Sequence, residues 1–303
     1  MIFAANHQNA FMDALLIVCF TSQFTHFLAR ADIFTKRFTR WMLGTLNMIP
    51  IYRIRDGRRA LSENANTFDA CYHLFAKNEA VVIFPEGNHG SQRRVRPLSR
   101  GFTKIVAEAQ LRDPNLKISI VPVGLNYSSH QEFRSSVSIH FGKPITTGDF
   151  PFDANALRVE LYSQLKTLTT HIDDLNHIDE TYQKLIASGV DFLDPEDSNS
   201  RISQIQKGEN IDSQIANGNG SAPLLLPRYV AITINFFPLL LWRKIKSRIK
   251  DPVFITSLRF GIGIFAFPAF YFFIGAIAWL SVGKITSLLW MVVSFPSMLF
   301  YKK

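Results

Sequence analysis

The chain has 303 residues, a formal net charge of +9 and 13% aromatic residues, 27 of them Phe. That length allows one large core with an appendage, and the charge favours phosphate, nucleic acid or anionic lipid as partners. The aromatic excess gathers near the C-terminus and turns that charge toward membrane lipid. Cys19 and Cys71 both sit in apolar helical contexts without metal-ligand spacing, which argues against a disulfide framework and fits a cytosol-facing domain. No basic-then-apolar secretory signal opens the chain.

Ile2–Ala5 is a short apolar run that reads as the end of a buried strand, and residues 11–20 read as the helix that follows. A strand beginning at residue 2 leads to the expectation of a truncated or misplaced start. Residues 32–46 read as a helix with Trp41, Met42 and Leu46 on an apolar face. Residues 47–53 read as a second strand, with Pro50 at its beginning or at a sheet edge. After a turn at residues 55–57, residues 58–77 form an amphipathic pattern in which Leu61, Ala65, Phe68, Tyr72 and Phe75 recur at helical spacing. Residues 80–84 are continuously apolar, as in a strand buried on both faces. A helix over 99–110, a strand over 117–124, an alternating strand over 137–141 and a helix over 155–174 complete the series. This alternation predicts an α/β layered domain over residues 1–190, with a central mixed, largely parallel sheet flanked by helices.

Residues 191–222 are polar and read as a linker, or a helix plus linker. Residues 223–303 then read as membrane-associated. Residues 224–242 carry Arg228 and two prolines and read as interfacial or re-entrant. Residues 254–280 are long enough to cross a bilayer, and residues 285–301 to return. The basic flanks at 243–250 and at Lys302 and Lys303 place both outer ends of this helical membrane hairpin, and with them the catalytic domain, on the cytoplasmic side.

Four stretches stand at strand ends, where open α/β sheets place their ligand crevice. In the first, His7 precedes Asp13, a pairing that can make an oriented base; an ordinary strand-end cap is the competing reading. The second ends in Arg53, able to grip a phosphate or to serve as a solvated strand-end charge. In the third, Pro85, Glu86 and Gly87 end a buried strand, and the loop to Ser91 could cradle an anion or be a plain tight turn. The fourth is Val121-Pro122-Val123-Gly124-Leu125-Asn126. Between the third and fourth, Arg93, Arg94, Arg96, Arg100 and Lys104 lead into a helix N-terminus, a good place for phosphorylated groups or else a solvated loop. Signatures of serine hydrolases, P-loop proteins, dinucleotide-binding folds and zinc sites are missing.

In this order, the four stretches resemble those of the glycerolipid acyltransferase superfamily. Its N-H-x4-D motif is matched by Asn6 and His7 through Asp13, its second-motif Arg by Arg53. Its F-P-E-G-[TS]-R-S falls on Phe84, Pro85, Glu86, Gly87 and Ser91, and its V-P-[VI] strand on Val121, Pro122 and Val123. The resemblance implies transfer of an acyl group from a thioester donor, acyl-CoA or acyl-carrier protein, to a phosphorylated glycerolipid acceptor, with 1-acylglycerol-3-phosphate foremost. His7 and Asp13 would be catalytic; Arg53, Glu86, Gly87, Ser91, Arg93, Arg94, Arg96, Arg100 and Lys104 would bind substrate. No metal, no cofactor and no nucleic acid are expected, while membrane lipids are expected partners. Two departures stand out: five residues rather than four separate His7 from Asp13, and Asn88, His89 and Gly90 replace the expected Thr-Arg. One extra residue turns a regular helix by about 100°, so a local adjustment must precede Asp13. The competing readings are another acceptor, such as glycerol-3-phosphate, and an inactive membrane-anchored adaptor of the same fold.

Overall fold

The computed structural model describes residues 1–53, 57, 62–147, 153–209 and 225–297. It divides into two units: Met1–Ser128 with Ser136–Ile215, and Ser129–Ser135 with Ala216–Lys303. The first unit carries strands β1 (Ile2–Ala5), β2 (Thr25–Arg30), β3 (Met48–Ile51), β4 (Ala80–Ile83), β5 (Ser119–Tyr127), β6 (Val137–Phe141) and β7 (Ile145–Thr146). Its helices are α1 (Phe11–Phe20), α2 (Arg37–Thr45), α3 (Asn64–Ala76), α4 (Gly101–Arg112), α5 (Ala154–Leu168), α6 (Ile178–Ala187) and α7 (Pro195–Gln206).

The strands form one sheet in the order β3-β2-β4-β1-β5-β6, with β7 also on β5. β1 to β5 are mutually parallel, and β6 and β7 run antiparallel to β5. The sheet is therefore mixed and mostly parallel, flanked by helices. Its faces follow from strand parity. Ile2, Ala4, Val81, Ile83 and Ile120 face α3, α4 and α5, where Phe75, Phe102, Val106 and Leu161 close the larger core. Phe3, Ala5, Val82, Val121, Val123 and Leu125 face the opposite way, against Ala14 and Ile17 of α1. Helices on both faces explain why the central strands read as continuous apolar runs.

Several elements differ from the sequence-based expectation. β2 is absent from it, because His26 and Arg30 interrupt the apolar pattern; the imidazole of His26 pairs with Glu79 at 2.7 Å. The expected helix over 32–46 is a 3-10 turn, Ala31–Phe34, followed by α2. The helix expected to reach residue 174 stops at Leu168, and residues 169–173 run on as an extended strap. The polar composition after residue 191 conceals α7, which Asp194 caps through Glu196 N and Asp197 N, with Pro195 in the first turn. α7 buries Ile202 with Phe192 and with Leu185 of α6. Most of the expected turn at 55–57 and the start of the helix after it lie outside the described residues, as do residues 298–303.

The second unit comprises α8 (Leu225–Ile234), α9 (Phe236–Lys246), α10 (Phe254–Ser281) and α11 (Lys284–Ser297), together with the segment Ser129–Ser135. Asn235 breaks the chain between α8 and α9; its buried side chain donates to Ala231 O at 2.8 Å and accepts from the Tyr271 hydroxyl. Ser287 of α11 donates to Gly275 O of α10 at 2.8 Å, which ties the two into a hairpin. α10 has 28 residues, about 42 Å of helix, and only 17% of its most apolar window is buried. It is long and apolar enough to cross a hydrocarbon layer of about 30 Å.

Candidate active site

The site forms where the three central strands end side by side. β1 lies between β4 and β5, so the segments after Ala5, Ile83 and Tyr127 leave the same edge. Asn6 fixes the exit of β1. Its side chain accepts from Leu125 N at 2.7 Å and donates to Leu125 O at 3.0 Å, adding one more pair to the β1–β5 ladder. Parity then puts His7 on the α1 face, in series with Phe3 and Ala5.

There the Nδ1 of His7 lies 2.8 Å from Asp13 Oδ2. A carboxylate partner fixes the proton on Nδ1 and leaves Nε2 as the basic nitrogen. The ring stacks on Phe84 at 4.0 Å between centroids, and its side chain is 16% exposed. Asp13 is fully buried and is saturated with donors. Oδ2 also accepts from Gln8 N and Asn9 N, both at 2.8 Å, and Oδ1 accepts from the Tyr127 hydroxyl at 2.5 Å. Without such donors a buried carboxylate would cost several kcal/mol, about 2–7 even for a neutral polar group. Burial, with the Asp13 charge beside it, pushes the Tyr127 hydroxyl well above the ordinary phenol range, so Tyr127 remains a donor.

The extra residue of the motif is absorbed at Ala10. Ala10 precedes α1 with φ 44° and ψ −124°, outside helical geometry and in a region that glycine favours. That single twist removes one residue from the helical count, so Asp13 enters in the first turn of α1 directed at His7.

The third motif braces the His7 peptide. Glu86 is buried, and its carboxylate binds Arg96 through the backbone N at 3.2 Å and Nε at 2.9 Å as well as through a terminal guanidinium nitrogen. Arg96 also donates to His7 O at 3.2 Å and to Asn88 Oδ1 at 2.5 Å, and Gly90 N donates to His7 O at 3.1 Å. Burial raises the Glu86 carboxyl above its usual range, with Arg96 opposing that rise. Gly87 takes φ 74° in the turn, a left-handed conformation that glycine adopts without a Cβ penalty. The polar atoms of Glu86 and Arg96 hold each other and the backbone beneath the imidazole.

Arg93 is enclosed. It is 4% exposed, donates to Tyr127 O at 2.8 Å and Ser128 O at 3.1 Å, and lies 3.6 Å over the Phe192 ring. An arginine so enclosed pillars the β5 terminus. Its neighbour Val95 donates to His171 Nδ1 at 2.8 Å, and Ile172 N donates to Arg93 O at 3.0 Å, so residues 169–173 strap this loop down.

The remaining residues are more open. Ser91, Arg100 and Lys104 are exposed; Arg100 caps α4 and Lys104 stands one turn on, on the edge where β4 ends. Arg94 is half-buried. Arg53 follows β3 on the same edge as His7, three strand positions away, about 14 Å at the usual spacing, and pairs with Asp32 at 3.5 Å. Tyr127 is the site residue that the sequence reading missed. The signal was its parity with Val121, Val123 and Leu125 at the end of β5.

Residues 1–126 match the family model described as Acyltransferase. Over these residues the chain is similar to the glycerolipid acyltransferases. Glycerol-3-phosphate O-acyltransferase 2 of Saccharomyces cerevisiae is 34% identical over 84 residues, 27% of this chain and 11% of that protein. The 1-acyl-sn-glycerol-3-phosphate acyltransferase BAT2, chloroplastic, of Brassica napus is 24% identical over 123 residues, 41% of this chain and 33% of its own. The crystal structure of the 1-acyl-sn-glycerophosphate (LPA) acyltransferase PlsC from Thermotoga maritima aligns at 19% identity and TM-score 0.40. That alignment covers 55% of this chain and 64% of the other. The chain thus spans only a tenth to a third of the curated relatives' length.

Proposed function

We propose that this chain transfers a fatty acyl group from a thioester donor to a hydroxyl of a glycerol-phosphate lipid, most closely 1-acylglycerol-3-phosphate. The observation that carries this reading is the 2.8 Å contact of His7 Nδ1 with a buried, donor-saturated Asp13. Such a pair has one use in a family of acyl transfer: Nε2 takes the proton of the acceptor hydroxyl as its oxygen attacks the thioester carbonyl carbon. The tetrahedral intermediate collapses with cleavage of the C–S bond, and the imidazolium returns its proton to the departing thiolate. Asp13 holds the tautomer and stabilises the charged ring.

Arg100 and Lys104, exposed at the start of α4 on the mouth edge, are the cations we assign to the acceptor phosphate, with Arg53 at the outer end of that edge. Anchoring a remote phosphate orients the hydroxyl. The acyl donor, acyl-CoA or acyl-carrier protein, enters as co-substrate, and no resident cofactor is invoked. We place the site on the cytoplasmic face, because the segment before α10 carries Arg243, Lys244, Lys246, Arg248 and Lys250 against a single acid, Asp251. The names of the yeast relatives favour a second reading in which glycerol-3-phosphate itself is the acceptor.

Membranes containing the protein, incubated with labelled acyl-CoA and a panel of phosphorylated acceptors, separate these readings by the product formed. His7→Ala should abolish transfer, by about 10³-fold or more, while the protein stays folded and membrane-bound. Near-normal turnover in that variant removes the dyad from the mechanism.

A further inference from the structure

The apolar face that the sequence shows at Trp41 and Met42 is turned outward. α2 is the crossover between β2 and β3, and no residue of it is buried. Thr39 and Leu43, one turn apart, are its half-buried positions. Phe38, Trp41 and Met42, at i, i+3 and i+4, form the opposite stripe and are 68%, 67% and 39% exposed, with Ile33 of the preceding turn at 43%. Phe38 and Trp41 lie 6.1 Å apart, ring to ring. Lys36 just before α2, Arg37 beside the stripe and Arg40 on the far side of the helix are all exposed, and α2 contains no acid. The one acid of the preceding turn, Asp32, is engaged by Arg30 and Arg53.

Apolar stripe, aromatic rings and a cationic border on one short helix are the features of a helix lying in a membrane interface. Its position suits that use. The turn Ala31–Phe34 leaves β2 on the edge where β1 ends, so α2 starts beside the mouth that holds His7.

We infer that the outward face of α2 docks the mouth of the acyltransferase sheet onto an anionic lipid bilayer, with Phe38, Trp41 and Met42 in the acyl-chain boundary and Lys36, Arg37 and Arg40 at the headgroups. This deepens the acyl-transfer reading and rests on it for the choice of a lipid over a protein occupant. A lipid acceptor would then pass from bilayer to site without crossing water. The docking is separate from any span by α10, and it adds a contact beside the catalytic edge.

The test reads depth and needs no turnover, so it stands even if acyl transfer is not found. The 303-residue chain carrying Cys19→Ser and Met42→Cys, with Trp41 kept, is labelled with nitrobenzoxadiazole. It is then reconstituted in vesicles of phosphatidylcholine and phosphatidylglycerol. Cys71 does not compete, since burial pushes its thiol up to about 12. The expected result is blue-shifted emission that is quenched by lipids brominated along the acyl chain, with both effects weaker when phosphatidylglycerol is left out. Emission like that of the label in water overturns the proposal. So does a blue shift that lipid-borne bromine cannot quench, which would give this face to a protein partner or a second copy. A second label at Phe38→Cys guards against a local effect of one substitution and should report the same depth.

Discussion

At Ala10 one residue carries a conformation on which the geometry of the base depends. A Cβ at φ 44° and ψ −124° costs on the order of 1–3 kcal/mol, whereas glycine is at ease there but loses more chain entropy on folding, about 0.5–1 kcal/mol. Ala10→Gly should therefore change stability by no more than about 1 kcal/mol and keep activity. Ala10→Val, β-branched and unable to take that φ without further strain, should cost about 2 kcal/mol or more and misplace Asp13. Calorimetry of both variants checks this; equal stability of the two would show that Ala10 is not strained. Tyr127 is the other residue to probe. Its buried hydroxyl spends its proton on Asp13, so Tyr127→Phe should lower kcat about tenfold, about 1.4 kcal/mol, with little change in KM. An unchanged kcat would reduce the hydroxyl to a structural filler.

Among the elements, the strap after α5 supports the site from behind. Val95 N donates to the Nδ1 of His171, and the Nε2 of His171 meets Asp173 at 2.7 Å. Burial holds the His171 imidazole below its ordinary value of 6.5, with Asp173 opposing. A proton on Nδ1 would turn the acceptor of the Val95 N–H into a donor. The unfolded chain binds that proton more readily, so stability is present above 6.5 and falls as the pH drops below it toward the lowered folded value. Thermal melts across that window should show a declining midpoint in the wild-type protein. His171→Asn, which cannot titrate, should melt lower at neutral pH but with a flatter slope. Parallel slopes for the two proteins would count against this role.

Across the whole molecule, the chemistry was more legible than the supports beneath it. The α/β class followed from residues 80–84 and 117–124, whose unbroken apolar runs demand helices on both faces. The His7–Asp13 pair was legible as residue types, but its feasibility was not, because a count of five intervening residues says nothing of the twist at Ala10. For Glu86, Arg93 and Arg96 a sequence shows that a charge is present, and only packing shows which groups it meets. β2 was lost to its polar ends, and α7 to a composition whose buried side is little more than Ile202 and its neighbours. The stripe on α2 was visible by its spacing, yet spacing cannot tell core from surface.

A strand only four residues long is a poor mount for a reacting group, since its tip is free to flutter. The carboxamide of Asn6 clamps that tip by imitating one more peptide of the neighbouring chain. The imidazole next to it is consequently carried by the rigid frame rather than by a loose end. The surrounding loops are then free to be reshaped without disturbing the setting of that ring.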